Sequence, residues 1–540
     1  MSIFSIGVSG LNASQKALYT TGNNINNVYT PGYNREIPIL GEAKAGGVRV
    51  YDIQRQFNHF VATQLNASSG KFSALQAYQT QVHQVDSLLA DQEAGLAPLM
   101  QSFFSSVEDL VGNPSDPAAR QGVLGTANTL TAQFRSFDDY LNDMQQGING
   151  QVRDEIVQIN NLAEQVANLN REIGLARAKT GIAPNSLLNQ RDQLVADLSA
   201  RADVKLNIQD GDVYHLSIGN GQPLVAGTHT YKLEAMRSAG DPARMVVGYN
   251  DSAGNLIELK DHTFKQGTLG GLLSFRSETL DKTQNQLGQL AVSFAVSFNE
   301  QHKQGLDLNG AVGQDFFAIG EPRVYSNSNN SSGVEFAAAF DVDQIDQLKA
   351  ASYDIHYTGG QMQVTQRDTG VAVVADYDPA AGTLSFAGLK LTLTGTPAEG
   401  EQFHLNPLQR AASEFDSKIQ DAAQIAAANN DADAGTGDNR NAIALQNLQS
   451  KQVVGGHATL SQAYGALVSD VGNRTNVVNV NLTAQQGLNE QLRGLQQSES
   501  GVNLDEEAAN LLRYQQYYQA NARVIEVGGT IIDVLLGLRT

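Results

Sequence analysis

The sequence predicts an α+β multidomain chain: a coiled-coil-like helical bundle built from the N- and C-terminal segments, with antiparallel β domains inserted between them. Three observations lead there. From Asn503 onward, Leu504, Ala508, Leu511, Gln515, Tyr518, Ala522, Ile525, Gly529, Ile532 and Leu536 follow one another at steps of four and three, a heptad seam whose apolar or small character only Gln515 breaks. At the other end Phe4, Leu11, Leu18 and Ile25 recur every seven residues. Between the two, the helical period gives way twice to alternation, across 204–269 and again across 321–407.

Each terminal stripe covers nothing by itself, so it requires a partner helix. The first 35 residues carry Lys16 and Arg35 and no acid, whereas the C-terminal segment carries Asp505, Glu506, Glu507, Glu526 and Asp533 against Arg513, Arg523 and Arg539. The two ends are therefore expected to pair, with exposed ion pairs adding at most ~1 kcal/mol.

After the Asn cluster the first helix stops at Thr30-Pro31-Gly32-Tyr33, and Val48, Val50 and Ile53 alternate as a strand. Residues 54–65 predict a short helix with Phe57, Phe60 and Val61 inward; Leu75, Tyr78, Val82, Val85 and Leu89 predict a longer one, interrupted by Gly95 and Pro98. Leu99, Phe103, Val107 and Leu110 form the next, ending at Gly112-Asn113-Pro114, where Asp116 or Ser115 can cap its successor. That successor spans about 118–178 along a seam of Phe134, Phe137, Leu141, Met144, Ile148, Val152, Ile156, Ile159, Leu162, Val166, Leu169 and Ile173, with a bend expected at Gly147 and Gly150. Its companions are expected from 75–89 and 441–495.

Residues 204–208, 213–218 and 231–234 alternate around Asp210-Gly211-Asp212 and Gly219-Asn220-Gly221, which predicts a small β domain. A helix returns over 270–304, with Gly270-Gly271 reading as a turn. A second β block carries strands at 353–357, 362–365, 371–375, 383–386 and 389–393. The Ala-rich run 411–428 predicts a helix, 429–439 a polar loop, and helix continues with breaks to the end. The expected division is 1–70 with 500–540 as a terminal coiled-coil domain, 71–203 with 270–320 and 408–499 as a helical bundle, 204–269 as an inserted β domain, and 321–407 as an outer β domain.

Composition narrows the function. A net charge of -20 and a pI near 4.8 argue against a nucleic-acid or anionic-membrane partner, which would need basic stripes. There is no Cys to form a disulfide or a thiolate metal site, no apolar run long enough to span a bilayer, and no basic start followed by a long apolar segment that would mark a cleaved signal peptide. The nine His residues form no metal-binding helical pair, and His302 beside Asp307 is expected to hydrogen-bond backbone rather than catalyse. Asp431, Asp433 and Asp438 resemble a calcium loop, but Thr436 stands at the turn-glycine position and no Glu closes the pattern, so a solvated linker is expected. No catalytic residue, metal site or cofactor is predicted, and composition alone reads as a cytoplasmic soluble chain.

The run containing Asn23, Ile25, Asn27, Thr30, Pro31, Gly32 and Tyr33 resembles the rod-motif signature of bacterial flagellar axial proteins. Residues 501–512, with Tyr514, Gln515, Gln516, Tyr518, Gln519, Ala520, Asn521, Ala522, Arg523 and Val524, look like that family's closing motif. Residues 113–120, 187–192 and 299–302, with Gly305, Asp307, Leu308, Asn309 and Gly310, are similar to its hook-filament junction members. Asn26 and the bulky Tyr29 depart from the usual residues at their positions.

The resemblance implies a structural, non-enzymatic subunit of the flagellum that joins copies of itself into a tubular layer through its terminal helices. It implies contacts with the hook protein and with a second junction protein. It also implies export, unfolded and without a cleaved signal, through the flagellar type III channel, with a chaperone holding Leu511, Tyr518, Ala522 and Ile525. The assembly and chaperone interface is expected at Leu11, Leu18, Ile25, Leu504, Leu511, Tyr518, Ala522, Ile525 and Ile532. The alternative is a secreted glycan-binding protein or enzyme on a helical stalk; seams at the extreme termini favour the structural subunit.

Overall fold

The structure is a computed structural model that describes residues 3–44, 46–91, 95–251 and 254–538. Helix α1 (Ile3–Asn26) is followed by a hairpin of β1 (Glu36–Glu42) and β2 (Val48–Arg55), and lies antiparallel to the last helix, α10 (Leu504–Gly537). The body contains α2 (His59–Leu89), α3 (Leu96–Gly112), α4 (Pro117–Thr180), α5 (Asn185–Arg201), α6 (Gly267–Phe275), α7 (Asp281–His302), α8 (Arg440–Asn447) and α9 (Leu460–Ser500). A π-helical turn, Arg276–Leu280, joins α6 to α7.

The caps follow from local chemistry. The Asp116 carboxylate accepts from the Ala118 amide with Pro117 at the first helical position, and Gly181 at φ 77° ends α4 in the left-handed region. Thr459 and Gln462 form a capping box on α9.

Between α5 and α6 the chain builds two small sheets. One orders β3 (Val204–Gln209), β4 (Val213–Ile218), β5 (Pro223–Ala226) and β6 (His229–Thr230); the other orders β7 (Leu233–Arg237), β8 (Met245–Asn250) and β9 (Leu256–Leu259). Tyr214, Leu216, Ile218, Val225, Leu233 and Val247 join the same core as α4. In the outer block, strands 353–358, 361–366 and 402–406 form the middle of one antiparallel sheet, and 383–386 and 389–394 the middle of another. Their shared core of Tyr353, Ile355, Leu384, Leu391 and Leu405 closes on Val292 and Val296 of α7.

Several expectations are corrected. One 31-residue helix, α2, replaces the two separate helices, and Phe60, expected inward, is 72% exposed. Helix α4 runs unbroken through Gly147 and Gly150, and Ala163 and Asn170 take the buried places expected of Leu162 and Leu169. Its neighbours are α3, α5 and the small sheets. Helix α9 lies along α2 instead, with Gln79 Nε2 donating to Asn479 Oδ1 at 2.7 Å and Asn489 Nδ2 to Ser69 Oγ at 3.0 Å.

Gly270 and Gly271 are helical, not a turn: a Cβ on Gly271 would stand 2.2 Å from the Ala74 carbonyl oxygen, so the missing side chain is what lets α6 meet α2. Residues 411–428 are not an α-helix despite their alanines. Side chains hold their backbone instead: Arg120 Nη1 donates to the Ala422 and Ile425 carbonyls at 3.1 and 2.8 Å, Arg135 Nη1 to Phe415 O at 2.7 Å, and Asn441 Nδ2 to Ala426 O at 2.6 Å. Tertiary context has overridden propensity there.

Candidate assembly surface

The first helix buries its smallest residues. Gly7, Gly10, Ser14, Ala17, Thr21 and Asn24 are buried at alternating steps of three and four, a heptad seam of its own. Facing it on α10 are Glu507, Asn510, Tyr514, Asn521, Val524 and Gly528, again at heptad spacing, of which Glu507 and Gly528 are fully buried. At three points a glycine of one helix lies directly against a side chain of the other. A Cβ on Gly10 would stand 2.2 Å from Asn521 Oδ1, one on Gly7 2.7 Å from Ile525 Cγ1, and one on Gly528 2.8 Å from Ile3 Cγ2.

The ends pair as expected, but the seams are out of phase with the expected ones. Leu11, Leu18 and Ile25 are only half-buried beside the small-residue seam, and Phe4 lies at its edge. On α10, Leu504 (43% exposed), Leu511 (38%), Tyr518 (37%) and Ile532 (42%) flank the face against α1 and stay partly exposed, Ala522 is exposed, and Ile525, in the same heptad row as the first four, reaches Gly7. The physical reason is size: close helix contact selects glycine, alanine and serine, so the bulkier apolar row is left at the edge of the contact, partly exposed.

The family-like motif residues face their own chain. Asn27 Nδ2 donates to Asn23 O at 2.9 Å and to Asn23 Oδ1 at 3.0 Å, and Thr30 Oγ1 donates to Asn27 Oδ1 at 3.0 Å. Pro31 and Gly32, the latter at φ 74°, turn the chain so that the Tyr33 hydroxyl donates to Asn24 Oδ1 at 2.7 Å and accepts from Asn23 Nδ2 at 3.2 Å. Asn24 Nδ2 in turn reaches Glu36 O at 2.8 Å and Glu507 Oε2 at 3.1 Å. Arg35 completes the knot, with Nε on Glu507 at 2.7 Å, Nη1 on Glu506 at 2.6 Å and its amide on Ser500 O at 2.9 Å. Burial, with Glu36 and Glu507 nearby, pushes the Tyr33 phenol well above its ordinary range. The sequence reading did not assign Asn24, Arg35 and Glu507 to the site. The available signal was one arginine in an acid-free segment and an acidic run opening the opposing helix.

The other singled-out residues are also structural. His302 is fully buried; its Nδ1 donates to Gln314 O at 2.6 Å and its Nε2 accepts from the Ala426 amide at 2.9 Å, as expected of a backbone-binding histidine. Burial pushes its pKa down to about 4, so the ring is neutral. Asp307 Oδ1 accepts from the Asn309 and Ala311 amides in the adjoining turn. Asp431 and Asp438 converge on the Arg440 guanidinium, each at 2.7 Å. Among the described residues no group of three or more His, Cys, Asp or Glu is placed to hold a metal ion, and no helix is long and apolar enough to cross a membrane.

Comparison with known proteins agrees along the chain. Residues 4–34 match the family described as flagella basal body rod protein, 82–317 the flagellar hook-associated protein FlgK helical domain, 325–407 the flagellar hook-associated protein 1 D2-like domain, and 496–538 the flagellar basal body rod FlgEFG protein C-terminal family. The chain is 42% identical to flagellar hook-associated protein 1 of Salmonella typhimurium and to that of Escherichia coli K12, covering 100% of both chains in each case. It is 22% identical to the Bacillus subtilis protein of the same name, over 97% of this chain and 96% of that one. Among solved structures, the flagellar hook junction protein FlgK from Burkholderia pseudomallei superimposes with a TM-score of 0.75 at 28% identity, covering 81% of this chain and 99% of that one. The chain belongs to the flagellar hook-associated protein 1 family.

Proposed function

We propose that this chain is a structural subunit of the bacterial flagellum that forms the hook-filament junction by self-assembly through its terminal helices. The observation that carries the mechanism is the partly exposed row of Leu504, Leu511, Tyr518 and Ile532, which runs along the flank of the face that α1 fills. An apolar stripe of that length, left in water, favours association with another helix. Neighbouring copies supply it along the tube, the hook protein and a second junction protein border the ring on its two sides, and an export chaperone covers the stripe at Leu511, Tyr518, Ala522 and Ile525 before assembly. Export through the flagellar type III channel brings the subunit outside the cell. No bond is made or broken in this role. A glycan-binding protein on a helical stalk would leave the stripe without a partner.

Leu511→Asp or Tyr518→Asp tests the reading. With 38% and 37% of these residues exposed, each change forfeits up to ~1 kcal/mol of further burial on assembly and, more costly, places a charge against the partner helix. Junction formation and motility should be lost while the thermal melt of the body stays unchanged. A lowered melt with junctions intact would return these residues to the globule and refute the proposal.

A further inference from the structure

The motif Leu187-Leu188-Asn189-Gln190-Arg191-Asp192 takes no part in the assembly surface, yet two of its side chains, Asn189 and Asp192, sit where the terminal unit of α1, the β1–β2 hairpin and α10 meets the body. From the hairpin side, Asn34 Nδ2 donates to Asn189 Oδ1 at 2.8 Å, and Arg55 Nη1 donates to the same oxygen at 3.1 Å and to Asp192 Oδ2 at 2.5 Å. Asn185, one turn earlier on α5, donates from Nδ2 to Ile53 O at 2.7 Å. From the β-domain side, the Tyr214 hydroxyl donates to the other Asp192 oxygen at 2.6 Å. Arg191 lies with its guanidinium 3.4 Å over the Tyr214 ring and donates to Asp212 O at 2.7 Å, Asp212 Oδ2 at 3.0 Å and Asn170 Oδ1 at 3.1 Å. Asn34, Asn189, Arg191, Asn170 and Tyr214 are all buried.

We infer that Asn189 and Asp192 are positioning residues: with Asn34 and Arg55 they form a polar clasp that fixes one tilt of the terminal helix pair on the body. This rests on the proposed function, which gives that tilt its use, because the angle decides how the outer parts of each subunit stand on the tube that the terminal helices build.

Directional hydrogen bonds suit such a joint better than an apolar contact. Apolar surfaces slide with little penalty, whereas a buried donor or carboxylate turned away from its partner is left unsatisfied, so every other tilt is disfavoured. The β1–β2 hairpin is itself tied to α1, with the Val48 amide on Ser9 Oγ at 3.3 Å and the Glu36 amide on Asn24 Oδ1 at 2.9 Å, so holding its base holds the helix pair. Asp192 shares its two oxygens between hairpin and β domain, which makes one side chain the link between three parts of the chain.

The chain has no Cys, so two introduced cysteines label uniquely. Glu42→Cys on the hairpin and Gln158→Cys on α4 are both exposed positions for nitroxide labels, read by pulsed electron spin resonance on the full-length monomer. The parent should give one narrow distance distribution. Asn189→Ala with Asp192→Ala should widen it at least twofold while the thermal melt of the body stays in place. Tyr214→Phe, which frees Asp192 from the β domain and leaves Arg55 in contact, should not widen it. Arg55→Gln offers the same test from the hairpin side should the double variant fail to fold. An unchanged width in both the double variant and Arg55→Gln, or a width that grows only in step with a falling melt, would overturn the clasp. Because the distance is read on the monomer, its outcome is independent of whether the partly exposed apolar row of α10 drives assembly.

Discussion

The knot between the two ends can be dissected at one helix turn, where Glu506 and Glu507 both pair with Arg35 in different surroundings. The Glu506 side chain is 57% exposed, and its 2.6 Å pair with Arg35 is a surface contact worth ~0.2 to 1 kcal/mol. The Glu507 side chain is 2% exposed and accepts both from Arg35 Nε and from buried Asn24. Its loss leaves Arg35 Nε and one Asn24 amide hydrogen without an acceptor, although Glu506 still holds Arg35 Nη1, a penalty of ~3 to 5 kcal/mol for the two together. Two amides report the local opening: Arg35 N, bound to Ser500 O at 2.9 Å, and Glu36 N, bound to Asn24 Oδ1 at 2.9 Å. Converted at about 1.4 kcal/mol per tenfold, Glu507→Ala should speed their hydrogen exchange roughly a hundred- to several-thousand-fold, up to the limit set by global unfolding, and Glu506→Ala by about fivefold at most. Mass spectrometry resolved to these peptides reads both. Equal effects of the two substitutions would show that the knot does not hold the ends together.

Two further outcomes follow from the body. Gly271→Ala places a methyl 2.2 Å from the Ala74 carbonyl oxygen, a backbone atom that cannot swing aside, so α2 and α6 must separate; the thermal melt should show a loss of ~1 to 3 kcal/mol, against little change for Gly465→Ala on α9, where a Cβ meets nothing within 4 Å. His302 is held neutral, with its folded pKa near 4 below the ordinary 6.5, so the unfolded chain binds the extra proton between those values. Stability should therefore fall by up to ~3 kcal/mol as pH drops from about 6.5 to 4, and His302→Asn should lose that part of the pH profile in denaturant titrations.

Long, strongly periodic elements were legible in the sequence. The run 118–178 and the terminal helices show in the spacing of their apolar residues, and β4, Val213–Ile218, alternates in the structure as it does in the sequence, buried at every second position. What failed has identifiable causes. Residues 411–428 are rich in alanine, a strong helix former, yet Arg120, Arg135 and Asn441, remote in sequence, bind their backbone carbonyls in a non-helical course. Gly270-Gly271 reads as a turn in isolation, and only the neighbouring helix α2 explains two glycines inside α6. For the contact between α1 and α10 the terminal seam has the right period and a shifted phase, because counting apolar residues cannot tell a contact between small residues from a bulkier, partly exposed row beside it. Asn24 and Glu507 stand in their seams as polar residues, so a count of apolar spacing passes over them, and they matter through each other, 483 positions apart.

The account gives the adjacent rows of α10 different partners: Glu507, Asn510, Tyr514, Asn521 and Gly528 lie against α1 of the same chain, and Leu504, Leu511, Tyr518 and Ile532, partly exposed, are proposed to meet a neighbouring subunit. A density map of the assembled junction, at a resolution that places side chains, tests this most directly. The account predicts that the intrachain face keeps α1 in the register that sets Gly7 against Ile525 and Asn24 against Glu507, while the second stripe is covered by a helix of another copy. A map in which Leu511 and Tyr518 line open solvent, or in which α1 leaves its own α10 for that of a neighbour, would contradict it.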